Sequence, residues 1–85
     1  MTKLYSIKDT KIGFMAPLVQ QNNAVAIRTF KNMRNASQPN AVNTNPEDKE
    51  LWELGVYDEE TGEIKPNLAF IGKAEDYVET TKETK

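Results

Sequence analysis

Eighty-five residues, 38% of them hydrophobic and 28% charged, suffice for one small domain and are too apolar for a disordered chain. The chain has no cysteine and no histidine, which excludes disulfides, thiolate metal sites and the commonest nucleophile and general base. Its net charge of -2 hides a partition: residues 1–45 carry six basic side chains against one acid, and residues 46–85 carry five lysines against twelve acids.

Leu4-Tyr5-Ser6-Ile7 reads as a short strand with Tyr5 and Ile7 on one face. Asp9-Thr10-Lys11 forms a turn, and Ile12 to Ala16 alternates, with Ile12, Phe14 and Ala16 on one side. Pro17 cannot donate to a ladder, so it ends this strand or lies on an edge. Asn22 or Asn23 caps a helix expected over Ala24–Asn35, because its side-chain oxygen can accept an unpaired backbone N–H. Ala26, Ile27, Phe30 and Met33 form the apolar stripe of that helix, and Arg28, Lys31 and Arg34 form a cationic strip beside it.

Residues 36–45, rich in Asn, Ser and Pro, read as a long mobile loop. Asn45-Pro46-Glu47-Asp48 suits a turn or the first turn of a short helix. Leu51 to Tyr57 is the clearest strand: Trp52, Leu54 and Val56 point one way, Glu53, Gly55 and Tyr57 the other. A tryptophan so placed is expected in the core, and the acidic side of the strand on the outside. Asp58 to Gly62 makes a tight loop, Glu63-Ile64-Lys65 returns, and Pro66 stops the pairing. Leu68 to Gly72 is a third apolar run, and residues 79–85 are expected to be a flexible tail.

The expected fold is therefore α+β: a ββαββ-type domain over residues 1–78, with one helix on a mainly antiparallel sheet. So small a domain buries roughly 60–65% of its unfolded surface, which favours a homodimer. No apolar run approaches the roughly 20 residues that span a bilayer. Met1 to Ser6 lacks the apolar stretch of a secretory signal, so a cytoplasmic protein is expected.

No residue set suggests a reaction, and an enzyme, a cofactor or a small-molecule substrate is not expected. The acids of Asp58 to Glu63 are adjacent rather than alternate, unlike a calcium loop. Nucleic-acid contact fits better. Arg28, Lys31 and Arg34, extended by Lys8 and Lys11, would contact phosphates, and Tyr5 or Phe14, if exposed, would stack on bases. The rival reading is a protein-interaction module whose acidic half docks a basic partner without touching nucleic acid.

Lys3-Leu4-Tyr5-Ser6-Ile7-x-Asp9, Ala16-Pro17, Ala24-x-Ala26-Ile27-Arg28-x-Phe30, and Pro46-Glu47-Asp48 followed by Leu54-Gly55-x-x-Asp58-x-x-Thr61-Gly62 occur in this order. Together, over about residues 3–65, they resemble the small nonstructural protein of gokushoviruses, tailless single-stranded DNA phages of the microvirus group. Lys49 stands where an aromatic often follows Pro-Glu-Asp, and Trp52 where Phe is usual. The resemblance implies a phage accessory protein acting in DNA replication or in the switch to single-stranded genome synthesis. Such a protein would work in the cytoplasm of the bacterial host and bind single-stranded DNA or the replication complex. No catalytic motif comes with it.

Overall fold

The computed structural model describes residues 1–78; the tail expected at 79–85 lies outside the described residues. One helix packs on an antiparallel sheet, as the sequence predicts. Strand β1 (Thr2–Asp9) pairs with β4 (Lys49–Tyr57), and β4 pairs with β5 (Ile64–Lys73). On its other side β1 pairs with two short strands in succession, β2 (Gly13–Phe14) and β3 (Leu18–Gln20). The break between them falls at Pro17. There Ser6 stays buried on β1 and its hydroxyl donates to the Met15 carbonyl at 2.7 Å. The sequence predicts a strand over Ile12–Ala16 that Pro17 ends; the structure shortens it to Gly13–Phe14 and adds β3 beyond the proline, which cannot itself continue the ladder.

Helix α1 (Asn23–Arg34) begins at Asn22, whose Oδ1 accepts the Val25 N–H at 3.0 Å. Ala26 and Phe30 are its buried residues, and Ile27 and Met33 pack beside them. They meet Tyr5 and Ile7 of β1 and Leu51 of β4, the core of the domain. Phe30 also meets Tyr77 edge-on at 5.8 Å, which ties the C-terminal turn (Ala74–Tyr77) to the helix.

The segment between α1 and β4 has no strand and only a single 3-10 turn, Pro46–Asp48. Asparagine side chains supply the pairing that regular structure would give. Asn40 donates to the Met33 carbonyl and accepts from the N–H groups of Val42 and Asn43. Asn43 donates in turn to the carbonyls of Ala36 and Gln38. The result seats Val42 wholly within the core. Lys49 is buried at the start of β4, where its ammonium donates to the Thr44 carbonyl and lies 3.9 Å from Asp9.

Two expectations reverse on β4. Leu51 and Glu53 face the helix side and are buried, whereas Trp52 looks out from the opposite face. Glu53 is not an outer acid: Asn67 donates to it at 3.1 Å and Lys3 lies 3.4 Å away. The physical reason is that one helix covers one face, and the alternation of β1 commits Tyr5 and Ile7 to that face. Their partners across the ladder, Glu53 and Leu51, must follow. The other correction is that Pro66 does not stop β5. It sits opposite Gly55 within a ten-residue edge strand, where a missing N–H is tolerated. Gly55 is required there, since a Cβ would lie 2.3 Å from the Lys65 carbonyl oxygen.

Candidate nucleic-acid interface

The five cations singled out by sequence do not form one track. Arg28 and Lys31 are exposed on α1, and Lys31 also has an interaction partner. Arg34 turns toward the C-terminal turn, its Nη2 3.4 Å from Glu75 and its side chain only 19% exposed. Lys11 sits in the β1–β2 turn, 3.4 Å from Asp48. Lys8 alternates with Ile7 and therefore points from the sheet face that α1 does not cover. The sheet stands between Lys8 and the helix strip.

What Lys8 meets on that face is aromatic. Its ammonium lies 5.3 Å from the centre of the Phe14 ring and 5.2 Å from that of Trp52. Phe14 and Trp52 pack edge to face at 5.8 Å, and Trp52 and Phe70 at 5.5 Å. Phe14 is 44% exposed and Phe70 49%. Each edge-to-face pair contributes about 0.5–1.5 kcal/mol, and an exposed cation–π contact about 0.5–1 kcal/mol. The row is thus preformed and still open to solvent.

Register builds it. Lys8 pairs with Phe14 across β1–β2, and Ser6 with Trp52 across β1–β4. Along β4–β5 the pairing runs Glu50 with Lys73 and Leu51 with Gly72, then shifts to Trp52 with Phe70. The extra residue, Ile71, is a bulge that leans into the core, and it brings Phe70 beside the indole. Trp52 Nε1 donates to Glu50 Oε1 at 2.8 Å, which fixes the ring. Lys8, Glu50 and Lys73 thus form a polar row across three strands, next to the aromatic one.

Of the stacking candidates named from sequence, Phe14 is exposed and Tyr5 is not. Tyr5 is fully buried, and its hydroxyl donates to Asn23 at 2.5 Å. Burial, and next the charge of Glu53, push the Tyr5 phenol above its ordinary range. Trp52 and Phe70 are the residues sequence reasoning missed as surface groups. A signal was present: a single 12-residue helix cannot cover both faces of the sheet, so one apolar side of β4 had to stay open.

A family model described as phage ORF5 protein matches residues 2–77. No curated protein and no solved structure matches the chain.

Proposed function

The chain belongs to the phage ORF5 protein family, and from that premise we propose that it is a non-enzymatic accessory protein that binds single-stranded DNA during phage replication. The observation that carries this reading is the half-exposed Phe14–Trp52–Phe70 row with the Lys8 ammonium over it. Unpaired bases present π-faces that such rings can take, at about 1–3 kcal/mol per stacked base. Lys8 and the exposed Lys73 flank the rings where a sugar–phosphate backbone would pass. A duplex keeps its bases stacked on one another and gains only the phosphate part of this contact. The likeness to the gokushovirus nonstructural protein extends the reading to genome synthesis in the host cytoplasm.

On this reading the contact lies on the sheet rather than on the Arg28, Lys31 and Arg34 strip. The alternative is a docking module for a replication or assembly protein, favoured by the exposed Glu59, Glu60 and Glu63 of the β4–β5 turn. Trp52 is the single tryptophan of the chain, so its fluorescence separates the two. Under the single-strand reading, single-stranded oligonucleotides quench it, duplexes of the same length quench it far less, and affinity falls with added salt. Phe70→Ala weakens binding by about tenfold or more, and Arg28→Ala does not. Unchanged fluorescence and anisotropy with every oligonucleotide at low salt would leave only the docking reading.

A further inference from the structure

On the reading that the open face binds single-stranded DNA, we propose that Glu50 makes it selective among bases, favouring those with an exocyclic amino group over thymine. Register places Glu50 on the open face, opposite Lys8 on one side and Lys73 on the other. It is therefore an acid set between two cations on the surface that the DNA would cover. A carboxylate at such a place opposes the phosphate backbone, and a surface selected for phosphate attraction alone has no use for it. A surface that reads base edges does.

Glu50 is also held. Its Oε1 accepts from Trp52 Nε1, and since an indole N–H lies in the ring plane, the carboxylate sits at the rim of the stacking platform. Its Oε2 has no hydrogen-bond partner among the described residues. A base stacked on the indole brings its own edge over that rim. An ionised carboxylate only accepts, so it pairs with the amino groups of cytosine, adenine or guanine. Thymine offers N3–H between two carbonyl oxygens, which a carboxylate repels. The side chain that orients the tryptophan is thus a specificity residue for what stacks on it.

Short homo-oligomers of dC and dT test this directly, because both are pyrimidines and differ at the amino group. By Trp52 quenching and by anisotropy, the protein is expected to bind oligo(dC) about fivefold tighter than oligo(dT), the value of about one hydrogen bond. Glu50→Gln, whose amide both donates and accepts, brings the ratio close to one while both oligomers still bind. Lys73→Ala, on the same row but with no acceptor removed, lowers both affinities and keeps the ratio. Equal affinities in the unaltered protein, a preference for thymine, or a ratio unmoved by Glu50→Gln overturns the role of Glu50 and leaves single-strand binding standing. Failure of both oligomers to bind overturns the single-strand reading itself, and this inference with it.

Discussion

The two faces of the sheet hold similar residues in opposite circumstances. On the helix side Tyr5, Ile7, Leu51 and Phe30 are all less than a tenth exposed, and they hold the domain together. On the open side Phe14, Trp52 and Phe70 pack edge to face in a row but keep about half of the two phenylalanine surfaces in water. Hydrophobic residue type therefore does not separate covered positions from open ones in this chain. Coverage by α1 does. Since the one α-helix among the described residues packs against one face, β4 divides its residues between a covered set and a set left open.

The sharpest way to break that comparison is to make the same change on both sides. Phe30→Ala removes a ring that is 2% exposed and costs about 3–5 kcal/mol, a large part of the ~5–15 kcal/mol of a typical domain. Phe70→Ala, from a ring 49% exposed, costs about 1 kcal/mol in stability and acts mainly on binding. Urea unfolding of the two variants checks this; equal losses would mean that the open face is as structural as the covered one. Asn22→Ala removes the cap of α1 and costs about 1 kcal/mol, seen as a lower midpoint with an unchanged slope. Because the cap serves the covered face, oligonucleotide affinity should hardly move.

The smallest effect is on pH. The raised phenol of Tyr5 keeps its proton in the folded state after the unfolded chain has released it, near the ordinary value of 10.0. Above that pH the unfolded state binds fewer protons than the folded one, so stability falls as pH rises. The contribution of Tyr5 is complete below about pH 10 and drains away as the pH climbs toward the folded value. Tyr5→Phe removes this ionisation along with the bond to Asn23, so its stability should fall less steeply over the alkaline range. An identical slope would assign the alkaline loss to other groups.

Much of this architecture is legible in the chain. The helix and its cap and the β1 strand follow from local signals, an Asn cap, a 3.6-residue stripe and alternation, whereas the sequence predicts no strand at β3. The side on which Trp52 falls is not legible, because alternation fixes which residues share a face and leaves open which face is covered. That choice is made by the cross-strand register of Tyr5 with Glu53 and Ile7 with Leu51. The Phe70 contact depends on a bulge at Ile71, which no local pattern announces. The charge partition is real in the sequence, yet folding spends part of it internally. Lys3 meets Glu53, Lys11 meets Asp48, and Arg34 meets Glu75, so the basic half is less free than its composition suggests.

Pro17 and Pro66 have a consequence at the rims of the sheet. An exposed aromatic surface beside an unpaired strand invites chain-on-chain ladder growth, which ends in fibrils. Here one rim is broken between Phe14 and Leu18 around Pro17, and the other carries Lys65, Pro66 and Lys73 with two register shifts. Neither offers a long, flat run of hydrogen-bonding groups to another copy. The protein can therefore present a sticky plane while keeping its borders closed, and concentration alone should not drive it into cross-β assembly.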